Sequence, residues 1–430
     1  MSQTRSSQLS PSQPRLSLSA SHVHKSVLTL ALVLTASLAY SQDHVLASFS
    51  GTGNGSRPQC ILAMDSHGNL YGTTATGGNF NAGLVFKVTP HGGGVWTEET
   101  IFNFDALANG VGPTGGVVLD SAGNVYGTTE SGGAFGLGTA FELSPQSGGT
   151  YTETVIHSFG GSGDGIFPAA QMIFDTAGNL YGTTLFGGAF GTGEEGGGTV
   201  FELSPQSGGT WSEEVLHSFA SGSDGVQVAG GVAFDTAGNL YGATFVGGTH
   251  NDGIVYQLSP QTGGSWTETI VHNFEGGTGD GRLPESGVTL DAAGNVYGTT
   301  FGGGKYSFGT VFELIPQGGG VWTLKGLHAF GNSPDGANPE GEVILDASGN
   351  VYGTTFDGGK NGVNFGGTGT FFELSQTAGA WSEVRQYNFG LGRDAGFPQS
   401  GLIADPHGNL YGTSTGGGEV GNGTVYEIKP

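Results

Sequence analysis

One ten-residue pattern, DxxGN[LV]YG[TA][TS], occurs seven times along this chain of 430 residues, with its aspartates at Asp65, Asp120, Asp175, Asp235, Asp291, Asp346 and Asp405. The intervals between them are 55, 55, 60, 56, 55 and 59 residues. Self-similarity at that period restricts the chain to a repeat architecture, because each unit is one supersecondary motif that buries its faces only against its neighbours. Every local reading is therefore made seven times over.

The order within a period is constant. In the second one, Gly116-Val117-Val118-Leu119 is an apolar strand ending at Asp120, Ser121-Ala122-Gly123-Asn124 reverses the chain, and Val125-Tyr126-Gly127-Thr128-Thr129 runs back. This predicts a β-hairpin, in which Gly and Asn tolerate positive φ and the Asp carboxylate bonds turn amides, so turn chemistry explains the motif without a ligand. A Gly-rich loop, residues 131–138, leads to a third strand at 139–143, and Ser144-Pro145-Gln146 with Gly148-Gly149 leads to a fourth at 151–159. Elsewhere the fourth strand opens with Trp96, Trp211, Trp266, Trp322 or Trp381. Composition agrees. With 87 Gly, 27 Phe and 13 Tyr, and a hydrophobic share of 36%, the chain suits strands joined by tight turns around an apolar core, and a helical bundle is excluded. The expected fold is all-β, a seven-bladed β-propeller of four-stranded blades.

The ends predict closure of the ring. The last unit, residues 401–428, holds three strands, while His44-Val45-Leu46-Ala47-Ser48-Phe49 matches the end of a fourth strand, Val215-Leu216-His217-Ser218-Phe219. Pairing residues 45–49 with 424–428 removes two exposed sheet edges. Upstream, Arg5, Arg15 and Lys25 precede an apolar run from Val27 to Ala39, then Ala39-Tyr40-Ser41. This reads as a secretory signal peptide over residues 1–41, with the propeller filling 42–430, because the run is shorter than the roughly 20 residues that span a bilayer. A secreted or extracytoplasmic protein is expected, in the periplasm, at the cell surface or outside the cell, free of the membrane after cleavage; an uncleaved anchor is the alternative. The one cysteine, Cys60, allows no intrachain disulfide and reads as a small core residue.

The repeated GN[LV]YGTT followed by GxVFEL, as in Gly198-Thr199-Val200-Phe201-Glu202-Leu203, resembles the GloVer tandem repeat of exported bacterial proteins. More distantly, the DxxGN[LV]Y hairpins are similar to those of NHL-type and lactonase-like propellers. The resemblance runs from about residue 44 to the end and implies export and a propeller-like array. Lactonase-like and lyase-like propellers place acidic, Asn or His residues at the central opening, and no residue of this chain is matched to those positions, so no catalytic residue is assigned.

A formal charge of −24 excludes nucleic acid and anionic membranes as partners. His157, His217, His272 and His328 recur in register on the outermost strand of four successive units, which spreads them around the ring; cross-strand packing is expected of them, and no shared metal centre. Asp164-Gly165, Asp224-Gly225, Asp280-Gly281 and Asp335-Gly336 read as turns before each inner strand. Calcium bound by these loops is a sharper and weaker reading, since their spacing is not that of an EF-hand; no other cofactor is expected. Strand alternation puts the loops between second and third strands on one face with these Asp-Gly connections, and the hairpin turns on the other. The first face carries the variation: Glu194-Glu195, His250-Asn251-Asp252, Lys305-Tyr306, Lys360 to Phe365, and Glu419. Loops on a rigid scaffold concentrate binding residues, so His250, Asp252, Lys305, Tyr306 and Lys360 are the binding candidates. The expected function is that of an exported, monomeric, non-catalytic binding or interaction module for a carbohydrate, a peptide or a cell-surface partner. The alternative is a lactonase-, hydrolase- or lyase-like enzyme working at the central opening.

Overall fold

The computed structural model describes residues 43–429 apart from 106–108, 192–195, 221, 229, 332, 361–366 and 391. The expected signal segment, Glu194-Glu195 and residues 361–365 of the Lys360 loop lie outside the described residues. Seven four-stranded antiparallel sheets form the ring, with no helix among the described residues. Blade 1 is built from Ala63–Met64, Leu70–Thr74, Leu84–Pro90 and Trp96–Asn103, and blade 2 from Val118–Leu119, Val125–Thr129, Thr139–Pro145 and Tyr151–Ser158. Blade 7 takes its inner three strands from Ile403–Ala404, Leu410–Ser414 and Thr424–Ile428, and its fourth from Asp43–Ser48. Ring closure thus pairs Asp43 with Ile428, Val45 with Tyr426 and Ser48 with Thr424, around a bulge between Val45 and Ala47.

The hairpin motif is a closed set of hydrogen bonds. Asp120 Oδ1 accepts from the N–H groups of Ala122 and Asn124, both at 2.9 Å, while Oδ2 accepts from Asn124 Nδ2 at 2.7 Å and the Tyr126 hydroxyl at 3.3 Å. Tyr126 then carries the turn into the next blade. Its ring is 5% exposed and meets Phe174 and Trp211 edge-on at 5.3 and 5.9 Å. The first threonine of the motif also crosses the seam: Thr183 Oγ1 donates to the Gly230 carbonyl at 2.9 Å, and Thr413 Oγ1 donates to the Cys60 carbonyl across the closure at 2.9 Å. Between them sits a glycine whose side-chain space is already filled, since a Cβ on Gly182 would lie 2.5 Å from Phe201 Cζ. The core is a series of seams, one blade against the next, such as Tyr126, Ile156 and Phe159 packed on Phe201 and Leu203. At the closure Leu46 and Phe49 pack on Leu62, Leu70 and Phe86.

On the opposite face the two kinds of loop are clipped together by short ladders. Gly165–Ile166 pairs with Phe186–Gly187, and Gly336–Ala337 with Asp357–Gly358. The Asp-Gly turns need glycine for closeness: a Cβ on Gly165 would stand 2.1 Å from Thr184 Oγ1.

Candidate functional site

The clipped face presents two sets of side chains, one at its crest and one at its centre. The crest arises from a turn made after each Gly-Gly pair. The residue three places past the second glycine donates back to that glycine's carbonyl, as Asn81 to Gly78 at 3.4 Å, Gly136 to Gly133 at 3.3 Å and Ser307 to Gly304 at 3.3 Å. The third residue of the turn therefore stands at its tip. In register, the tips are Phe80, Phe135, Phe190, His250, Tyr306 and Val420, and all six are exposed. Phe80 is 60% exposed, Phe135 58%, Phe190 64% and Tyr306 48%, and these are the exposed aromatic rings of the described residues. Four tips are pinned by the N–H of the preceding residue, which donates to the fourth strand: Asn79 to Asn103 Oδ1 at 2.9 Å, Ala134 to Ser158 Oγ at 3.2 Å, Ala189 to Ser218 Oγ at 3.2 Å, and Thr249 to Asn273 Oδ1 at 2.9 Å; blade 5 has Ala329 at that place.

The sequence candidates fall on this crest. His250 and Tyr306 are tips, Lys305 precedes one, Asp252 lies two residues beyond one, and Lys360 follows directly on the Gly358-Gly359 pair. They occupy three blades and none lines the central opening. Lys305 Nζ sits 4.8 Å from the Tyr306 ring centre, His250 Nδ1 lies 3.1 Å from Thr249 Oγ1, and the Lys360 N–H donates to Asn388 Oδ1 at 2.7 Å. Phe80, Phe135, Phe190 and Val420 were missed. Aligning the seven units on Gly-Gly would have found them.

In six of the seven units the centre is lined by the residue that follows a fixed proline ahead of the inner strand; blade 4 has Val228 in the proline's place. Gln59, Thr114, Ala169, Glu285, Glu340 and Gln399 follow Pro58, Pro113, Pro168, Pro284, Pro339 and Pro398, and together with Glu130 they surround the opening. Glu342 lies deeper, among the glycines of the inner strands. Thr114 Oγ1 donates to Glu130 Oε1 at 2.8 Å and Gln399 Nε2 donates to Glu340 Oε2 at 2.9 Å. Burial pushes the Glu285 carboxyl up to about 7, and the neighbouring Glu340 carboxylate adds to that. Glu340 is likewise pushed up to about 7 by burial, against the opposing Gln399 bond and with help from Asp357. Glu342 reaches about 7 through burial, although it accepts from the Gly287 N–H. Carboxyls of this kind exchange a proton near neutrality, which suits either hydrogen-bonded recognition or general acid–base work. Among the described residues, neither Lys nor Arg lines the opening. Sequence reading did not single out these glutamates; for Glu285 and Glu340 the post-proline register was the available signal.

The four histidines stand in four different blades, each beside the aspartate of the following Asp-Gly turn: His157 to Asp164 at 3.1 Å, His217 to Asp224 at 3.4 Å, His272 to Asp280 at 3.1 Å and His328 to Asp335 at 3.2 Å.

No curated protein matches the sequence. Among solved structures, a candidate 6-phosphogluconolactonase of Bacteroides fragilis shares 13% identity over 87% of this chain and 88% of its own, with a TM-score of 0.47. The Gloeobacter/Verrucomicrobia repeat matches four times, over residues 32–194, 98–290, 190–362 and 264–430, and the chain accordingly belongs to that repeat family.

Proposed function

We propose that the protein is an exported, non-catalytic binding propeller that takes a neutral carbohydrate on the crest of its loop face. One observation carries this reading: a single register position repeatedly holds aromatic rings at about half exposure or more, Phe80, Phe135 and Phe190 on turns pinned to the sheets and Tyr306 on the equivalent turn. Keeping large rings in water is unfavourable unless a partner covers them, and flat rings on fixed backbone stack on sugar faces with little loss of entropy. The charge of −24 disfavours anionic polymers, and several equivalent tips give weak contacts a multivalent sum. His250, Asp252, Lys305, Tyr306 and Lys360 supply the polar contacts beside the rings. Export rests on the N-terminal segment described in the sequence.

The experiment is retention of the purified protein on insoluble cellulose, chitin and xylan. The triple variant Phe80→Ala, Phe135→Ala, Phe190→Ala should lower retention on the bound polymer at least about tenfold while the melting temperature stays put. Equal retention by the triple variant, or no retention on any of the three polymers, would overturn the reading. A second reading, acid–base catalysis, is favoured by the raised carboxyls of Glu285 and Glu340; release of soluble sugar that disappears in the Glu285→Gln, Glu340→Gln double variant would establish it.

A further inference from the structure

We propose that the seam between blades 2 and 3 holds a divalent transition-metal site built from His157, Asp164 and Glu213. One ligand atom from each of these residues lies within 4.8 Å of the others. Around a tetrahedral zinc ion with bonds of about 2.1 Å, ligand atoms stand roughly 3.4 Å apart, so small side-chain movements bring the three onto one ion. A single imidazole with two carboxylates suits zinc or manganese better than calcium or magnesium, which favour oxygen alone.

One observation besides the cluster itself points to a missing occupant. The Asp164 side chain is only 7% exposed, and its Oδ1 is buried without a hydrogen-bond partner while Oδ2 accepts from His157 and from the Gly160 N–H. Glu213 Oε1 is buried and unpartnered as well, a trait it shares with the Oε1 atoms of Glu98 and Glu153 in seams without such a set among the described residues. Stranding a buried carboxylate oxygen is costly unless a proton or a cation lies against it.

The neighbouring seams supply an internal comparison. In register, Glu213 opposes Leu203, Glu268 opposes Leu258 and Glu383 opposes Leu374, whereas blade 5 sets Leu324 opposite Leu314. Complete sets recur as His217, Asp224 and Glu268, and as His328, Asp335 and Glu383. Where leucine replaces the glutamate, the protein satisfies the aspartate unaided: Asp280 Oδ1 accepts from the Gly281 N–H at 2.7 Å and Oδ2 from the Glu275 N–H at 3.0 Å. Asp335 is closed in the same way although Glu383 stands beside it, its oxygens accepting from the Gly336 and Gly331 N–H groups at 2.8 Å, so the open buried acceptor is particular to Asp164. A bound ion would join the fourth strand of blade 2, its outgoing turn and the fourth strand of blade 3. Binding requires the free lone pair of His157 Nε2 and two ionised carboxyls, so protons leave to solvent as the ion enters.

The test uses full-length protein stripped with EDTA and titrated calorimetrically with zinc chloride at pH 7.5, alongside thermal melting. The parent should bind zinc and melt higher with it. Glu213→Leu copies the residue that blade 5 carries, so it should fold and bind one equivalent fewer; His157→Ala should lose the same equivalent. Should Glu213→Leu lose its β-sheet circular dichroism, the isosteric Glu213→Gln takes its place. No zinc binding by the parent, or an undiminished stoichiometry in the folded variant, overturns the proposal.

Discussion

Tyr126 ties two structures with one side chain, its ring in the seam against Phe174 and Trp211 and its hydroxyl on Asp120. The two contributions are separable. Tyr126→Phe keeps the ring and removes one bond to a carboxylate that retains three other donors, so a loss of about 1 kcal/mol is expected. Tyr126→Ala leaves a cavity between blades and should cost about 3–5 kcal/mol. Denaturant unfolding of the two variants measures both, and an alanine loss below about 1 kcal/mol would contradict the seam role. Position in the repeat made this residue legible, because its offset from the Asp-Gly-Asn turn never changes. The crest was less legible for a physical reason. Phe80 and Phe86 are the same residue type six places apart, one exposed and one buried, and only the turn built on Gly78 lifts the first out of the core. Residue type alone carries no record of that turn.

At the scale of the element, the strand Asp43–Ser48 decides whether the molecule is a ring or an open arc. Removing residues 43–49 withdraws Leu46 and Phe49 from the closing seam, each worth about 1.5–3 kcal/mol of burial, and exposes the edge of Thr424–Ile428. A lowered melting temperature and concentration-dependent association are expected, the second because an unpaired edge templates strand addition. Unchanged melting by differential scanning calorimetry would contradict closure. The sequence disclosed this strand through its likeness to Val215-Leu216-His217-Ser218-Phe219. It overstated the inner strands: Gly116 to Leu119 reads as one strand, yet only Val118–Leu119 pairs with Tyr126 and Val125. Of the residues before them, Gly116 lines the axis while Val117 is buried in the seam against the next strands, so there the chain serves the opening and the core and not the sheet.

The whole molecule gathers acid at its centre, which no local reading foresees: Glu285, Glu340 and Glu342 become neighbours of Gln59 and Gln399 only when the ring closes. Their titration gives the molecule a pH dependence with a definite sign. A carboxyl raised from 4.5 to about 7 binds more protons folded than unfolded across that interval, so its contribution to stability falls as pH rises from about 4.5 to about 7 and is level beyond it. The hairpin aspartates act oppositely and lower. Burial raises Asp65, Asp346 and Asp405, but the bonds from Asn69, Asn350 and Asn409 and the turn N–H groups outweigh it and hold them below the ordinary carboxylate value, so their stabilisation is lost as pH falls through those depressed values. Stability should therefore peak mildly acidic, near pH 4 to 5 by the order of these values. The melting temperature should be higher at pH 5 than at pH 8, with a difference on the order of 1 kcal/mol for each axial glutamate after allowance for solvent screening. Replacing Glu285, Glu340 and Glu342 together by Gln removes three titrating groups and keeps their shape, and should flatten that slope without abolishing it, because the seam residue Glu153 is also pushed up to about 7. A parent protein that melts no lower at pH 8 than at pH 5, or a triple variant with the parent's slope, would show that the axial carboxyls ionise as they do in water.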